Sequence, residues 1–248
     1  MGNWNSSNIE QAAPTGISGV LIGNVSSCRR VCSAIIASRK NVAVDLEGIA
    51  LSRDGQICLI QLAVDGDPEV KLIDVVSLGQ EAFDAGLLGS LLSNDTVRKL
   101  MYDVRGDADA LYHQFKVRIA NVVDVQVLYC RTFDSPSDPY VKGLGKALSR
   151  CPGLTDDQRA ELDAVKAAGV RLFAPEKGGS YEVWRQRPLS PALVDYASAD
   201  VAHLHAMYSA WRGAVGEEDT KAITESRMAK AINNPQPCKG RHMAKKDF

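Results

Sequence analysis

Residues 42–48 read Val-Ala-Val-Asp-Leu-Glu-Gly, and this stretch constrains the fold more than any other. A run of small aliphatic residues asks for a strand buried in a sheet. Two carboxylates set into the same run cannot leave water unpaired, because desolvating an ion is strongly unfavourable unless opposite charge meets it. On a strand, Asp45 and Glu47 leave the same face, with Cα atoms roughly 6.5 Å apart. That spacing suits two groups sharing a cation. It is equally the spacing of a charged ladder on an exposed sheet surface.

The pattern around this strand describes an α/β protein. Residues 17–24 read as a strand, and 25–40 as a helix with its apolar stripe on Val31, Ala34, Ile35 and Ile36. After β-like residues 41–47 comes the turn signal Arg-Asp-Gly-Gln, then the strand Ile57–Val64 and a further strand at 71–76. A helix over 81–94, a strand over 97–104, a helix over 107–116 and a strand running into helix over 121–129 follow. Hairpin-like strands first and strand–helix alternation afterwards predict a mixed central sheet flanked by helices. Beyond residue 140 the patterns are helical. One helix opens with a capping box from Thr155 to Gln158, and a last long helix starts at Ser190 and Pro191 and runs to Trp211. From Gly213 apolar content thins toward a helix and a flexible basic tail, and residues 1–16 read as a flexible N-terminus.

Composition excludes several function classes. A net charge of −1 gives no global field toward nucleic acid or anionic membrane, so an anionic partner must be held locally. Cys28, Cys32, Cys58, Cys130, Cys151 and Cys238 form no Cys-x-x-Cys pair and no zinc spacing, which reads as scattered reduced thiols. No stretch approaches the ~20 apolar residues of a membrane span, and the polar start is not a secretory signal. The expectation is a cytoplasmic or nuclear protein that is not secreted. Met-Gly-Asn-Trp-Asn-Ser fits a myristoylation pattern, but with no basic cluster beside it a single acyl chain would anchor weakly.

The remaining carboxylates point to hard cations. Residues 41–110 carry 13 acidic against five basic side chains, so a phosphate would be repelled unless divalent ions intervened. Asp107 falls at a helix start just past a strand, where α/β sheets display site residues, although Asp103 and Asp109 compete for that role. Tyr196 and Asp200 are four apart and share a helical face. Oxygen donors without a histidine cluster suit Mg²⁺ or Mn²⁺ rather than zinc.

Taken in order, these motifs resemble the DEDDy class of 3′ to 5′ exonucleases in the ribonuclease H-like superfamily, over about residues 17–212. Val-Ala-Val-Asp-Leu-Glu-Gly resembles the first exonuclease motif and Lys99–Leu111 the second. Within ribonuclease D relatives the metal-binding aspartate follows five residues after a His-like position, held here by Tyr102, which points to Asp107. Residues 121–129 resemble the following segment, with Asp124 supportive. The third motif is Trp184-x-x-Arg187-Pro-Leu-Ser followed by Tyr196-x-x-x-Asp200, and the whole is most similar to the Egalitarian/EXD-like branch.

The resemblance implies that Asp45, Glu47, Asp107 and Asp200 hold two divalent cations, Mg²⁺ or Mn²⁺, roughly 3.5 to 4 Å apart, while Tyr196 positions the attacking water. It also implies a single-stranded nucleic-acid substrate, RNA rather than DNA. Members of that branch include RNA-binding adaptors that no longer cut, so a silent adaptor is the alternative. Residues 131–190 carry ten basic against eight acidic side chains, and Lys142, Lys146, Lys177, Arg185 and Arg187 are the candidate phosphate contacts. Tyr140, Phe173 and Tyr181 are candidates for stacking on a terminal base or for packing the helical layer. His203 and His205 have no ligand-like partner in the sequence.

Overall fold

Strand β2 (Val42–Ile49) alternates as its residues require. Val42, Val44 and Leu46 enter the core on one side of the sheet, and Ala43 enters a second core on the other, the side shared by Asp45 and Glu47. The computed structural model describes residues 16–234 and 241–248. The acylation pattern, residues 1–15 of the expected flexible N-terminus, and Cys238 lie outside them.

β2 sits inside a six-stranded mixed sheet of order β1-β4-β3-β2-β5-β6. β1 (Ser18–Ile22) runs parallel to β4 (Glu69–Asp74), and β3 (Gln56–Val64) is antiparallel to both β4 and β2. β5 (Lys99–Met101) and β6 (Val122–Asp124) continue parallel on the far side of β2. The β2–β3 register shifts between Glu47 and Gly48. Glycine is required there, since a Cβ would overlap the Gln56 carbonyl. A bulge bends its strand, and this one does so where the Glu47 carboxylate emerges.

Helix α1 (Val25–Ser38) buries Cys28, Cys32 and Ile35, with Val31 and Ile36 packed against the same core, so that of the expected stripe only Ala34 is exposed. The helix expected over 81–94 is instead a set of short turns, α2 (Val75–Leu78), α3 (Gln80–Phe83) and α4 (Leu88–Leu92), with Leu87 in the left-handed region between the last two. α5 (Arg105–Phe115) follows β5, and α6 (Val125–Phe133) follows β6 directly with Asp124 as its cap. α7 (Leu144–Leu148) is a single turn. α8 (Asp156–Phe173) has the predicted capping box, Gln158 N donating to Thr155 Oγ1 at 3.2 Å and Thr155 N to Gln158 Oε1 at 2.9 Å. The last long helix divides at His203 into α9 (Pro191–Ala202) and α10 (Leu204–Trp211), with no proline or glycine at the break to announce it. The five described cysteines are free.

α11 (Glu217–Asn233) belongs to the main body. It packs on α5 and β6 and buries Thr220, Thr224, Arg227, Met228 and Ile232. Residues 241–248, expected to be part of a flexible tail, are held instead. Lys246 N donates to Pro139 O at 2.8 Å, Val141 N to Ala244 O at 2.9 Å, and Asp247 accepts from Arg227 Nε at 2.9 Å. No helix of the described residues is long and apolar enough to cross a membrane.

Candidate active site

Two elements far apart in sequence bring three carboxylates together. Asp45 and Glu47 from β2 and Asp200 from α9 each offer an oxygen, and these lie within 4.8 Å of one another. Asp107 and Tyr196 line the same cavity of about 360 Å³, together with Tyr102, Asp103, Gln126 and Leu144. All five predicted catalytic residues therefore meet in one pocket, with Asp107 outside the tight trio.

The three aspartates around the start of α5 are separated by their partners. Asp103 is held by Arg105, Nε at 2.6 Å and Nη2 at 2.7 Å, and by Arg227 at 3.2 Å. Asp109 accepts from the Arg53 backbone at 2.8 Å and from its guanidinium at 2.7 and 3.0 Å. Among the described residues no cation bonds Asp107, although it is buried. Asp124 supports from beneath: fully buried against Arg227, it accepts from Asp103 N at 2.9 Å, Val104 N at 3.3 Å and Gln126 N at 3.0 Å. It thus pins the turn that launches α5. Tyr102 donates to Lys142 O at 2.8 Å and ties the loop before α7 to the pocket floor.

Like charges in a buried space raise carboxyl pKa values. Asp45 is pushed up to about 8, mostly by burial and then by Asp200, against the opposing charge of Lys166. Glu47 rises well above the carboxylate range through burial and the charges of Asp45 and Asp200. Asp107 rises likewise through burial and Asp45, and Asp200 through burial, with Lys166 opposing. An all-oxygen donor set that holds protons in default of a cation fits a hard divalent metal such as Mg²⁺ or Mn²⁺. The Tyr196 phenol is also raised, by burial and then by Asp200, Glu47 and Asp45, so it stays protonated.

Sequence reasoning missed Lys166. It lies on α8 with no motif around it, yet its ammonium donates to Asp200 and stands 3.5 Å from the centroid of the Tyr196 ring. Only the contact of α8 with α9 reveals it.

The predicted phosphate contacts divide. Lys142 and Lys146 flank Gly143 and Leu144 at the pocket rim, Lys146 exposed and Lys142 paired with Asp138 at 2.6 Å. Lys177 and Arg185 are exposed on turns at Pro175–Lys177 and Tyr181–Arg185 outside the pocket lining, Arg185 paired with Glu182. Arg187 is engaged within the protein: its guanidinium binds Asp74 and also donates to Trp184 O at 2.9 Å and Cys58 O at 3.3 Å, so it clamps the end of β4 beside β3. Phe173 packs against Tyr196, Trp184 and Tyr181 with centroids 5.0, 5.5 and 5.9 Å away, which makes it and Tyr181 a brace for Tyr196. Tyr140 is half exposed and bridges to Lys245. His205 Nε2 meets Ala63 O at 2.9 Å, and both histidines line a separate cavity.

A family model described as 3′-5′ exonuclease matches residues 26–212, three quarters of the chain. The chain belongs to this 3′-5′ exonuclease family. Within it, the chain is 28% identical to the mouse piRNA biogenesis protein EXD1 over 174 residues, 68% of this chain and 28% of that protein. It is 30% identical to ribonuclease D of Gluconacetobacter diazotrophicus over 153 residues, 62% of this chain and 32% of that protein. The chain thus spans only about a third of the length of each of these two curated relatives. Among solved structures, Trypanosoma brucei RNase D in complex with GMP superposes with a TM-score of 0.72 at 24% identity, covering 89% of this chain and 66% of that one. The same enzyme with RNA U12 gives 0.69 at 23% identity, covering 94% and 80%. These likenesses show the ribonuclease H-like fold shared with RNase D.

Proposed function

We propose that this chain hydrolyses single-stranded nucleic acid from its 3′ end, RNA in preference to DNA, with divalent cations held by Asp45, Glu47, Asp107 and Asp200. The observation that carries this reading is the convergence of the Asp45–Glu47–Asp200 oxygens beside Asp107 and Tyr196 in one open pocket. Divalent cations bound there supply Lewis-acid activation of water and neutralise charge at the scissile phosphodiester. The protein's own groups do the positioning. Tyr196, protonated and braced by Phe173, offers its phenol hydrogen to orient the attacking water. Water oxygen bonds to phosphorus as the P–O3′ bond breaks, releasing a mononucleotide and a shortened chain with a new 3′ hydroxyl. Lys142 and Lys146 at the rim meet the backbone of the incoming strand. The RNA preference follows the RNase D relatives.

The test uses 5′-labelled RNA and DNA oligonucleotides with Mn²⁺ or EDTA. The expected outcome is a metal-dependent ladder, RNA shortened faster than DNA, with Asp45→Asn and Asp200→Asn each slowed by at least about 10³-fold. A gel shift of RNA that never shortens, with metal present, assigns the chain to the RNA-binding adaptor reading instead.

A further inference from the structure

The lysine beside the acidic trio has a geometry that the nuclease reading leaves unused. Lys166 reaches from the middle of α8, its ammonium both on Asp200 Oδ1 and 3.5 Å from the centroid of the Tyr196 ring. The approach is built in: one turn further along, Gly169 brings the α8 backbone against Tyr196 so closely that a Cβ there would stand 2.6 Å from Tyr196 Cβ and Cγ. Asp200 is buried and the Lys166 side chain is four-fifths buried. Because the Asp200 oxygen cluster spans only 4.8 Å, an ammonium bonded to Asp200 competes for the volume that a cation shared with Asp45 and Glu47 needs.

We infer that Lys166 is the resident counter-ion of Asp200 in the metal-free protein and is expelled from it when a divalent cation binds. This rests on the metal-dependent reading of the pocket. A divalent ion and an ammonium on one carboxylate would repel across a few ångströms in a poorly solvated space, so the two occupy Asp200 in turn. Without either, the buried Asp200 carboxylate would lose its counter-charge, a destabilising state that further proton uptake by the trio would have to relieve. Metal uptake is then an exchange of cations, and Lys166 sets the metal concentration at which the site fills.

Calorimetric titration with Mn²⁺ at pH 8, comparing wild type with Lys166→Met and Lys166→Arg, tests this. Lys166→Met is expected to bind Mn²⁺ about tenfold more tightly, since nothing has to be displaced, and Lys166→Arg to stay near wild type. Unchanged or weaker binding by Lys166→Met overturns the inference while leaving the metal site standing. A wild-type protein that takes up no Mn²⁺ overturns the nuclease reading itself. A second measurement needs no variant: acylation of Lys166 in the intact protein, followed by mass spectrometry, is expected to speed up when Mn²⁺ is added. Equal or slower labelling with metal overturns the exchange.

Discussion

Tyr196 stands among carboxylates whose charge, added to burial, keeps its phenol protonated. A protonated phenol can orient water but cannot accept its proton. Tyr196→Phe keeps the ring that packs on Phe173 and loses only the hydroxyl, so turnover is expected to fall about a hundredfold with Mn²⁺ affinity near wild type. Single-turnover cleavage and metal titration on the same sample check this, and a large loss of metal affinity would make the hydroxyl part of the metal site. Such short-range motifs are what a sequence can display. Asp45 and Glu47 share a strand face, and Tyr196 and Asp200 share a helix face, because strand and helix periodicity are local properties. Partner choice is not local. Arg187 and Lys166 are indistinguishable as charges in the sequence, yet one clamps Asp74 at the end of β4 and the other reaches the acidic trio. Spacing alone leaves Asp107 level with Asp103 and Asp109; the family resemblance points to Asp107, and in the structure Arg105, Arg227 and Arg53 hold the other two.

At the scale of elements, the α8–α9 contact and the position of α11 decide whether the pocket keeps its shape. Gly169 sits within an 18-residue helix, where glycine costs about 1 kcal/mol relative to alanine. By propensity alone Gly169→Ala would stabilise the protein. The Tyr196 side chain stands in the way of the added methyl, so the substitution is expected to destabilise by about 1–3 kcal/mol and to slow cleavage by moving Tyr196. Thermal unfolding reads the sign directly. α11 lies beyond the family match and beyond the domain boundary that the sequence suggests, yet its Arg227 is fully buried among Asp124, Asp103, Gln126 and Asp247. Removing that guanidinium leaves Asp124 buried without its counter-charge, and Asp124 holds the backbone from which α5 and Asp107 start. Arg227→Met is expected to cost about 3–5 kcal/mol in denaturant titration. The low apolar content of this region hid its role, because the helix is anchored by a buried charge network as much as by Met228 and Ile232. The mixed sheet was legible for the opposite reason: its central strands β2 and β3 are long, mainly apolar runs joined through a turn signal. The break at His203 was not, since neither a proline nor a glycine marks it, and at Leu87 the neighbouring Gly86 alone does not distinguish a break from a glycine inside a helix.

For the whole molecule, the acidic pocket couples stability, pH and metal. Asp45 titrates near 8 in the fold against an ordinary carboxylate value when unfolded, and Glu47, Asp107 and Asp200 are shifted the same way. Between about pH 4 and 8 the folded state therefore holds more protons than the unfolded chain, so the stability of the metal-free protein falls as pH rises through this window. Asp74 and Asp103 act oppositely. Asp74 is held low by Arg187 and Ser77, and Asp103 by Arg105 and Arg227, both against burial. Their contribution is complete above the ordinary carboxylate pKa and is lost on acidification below it, which places the stability maximum of the metal-free protein between these two regimes. A divalent cation requires the pocket carboxylates without their protons, so its binding releases protons and strengthens with pH. Thermal unfolding in EDTA and in Mn²⁺ across pH 5 to 8 should then give two diverging curves. The EDTA midpoint declines, and the Mn²⁺ increment grows toward about 2.7 kcal/mol when the ion is at a hundredfold its Kd. Asp45→Asn removes one of the shifted carboxyls and should flatten both trends. Parallel curves with a constant gap would mean that the ion binds away from these carboxylates, and with it the pocket would lose its claim to the chemistry.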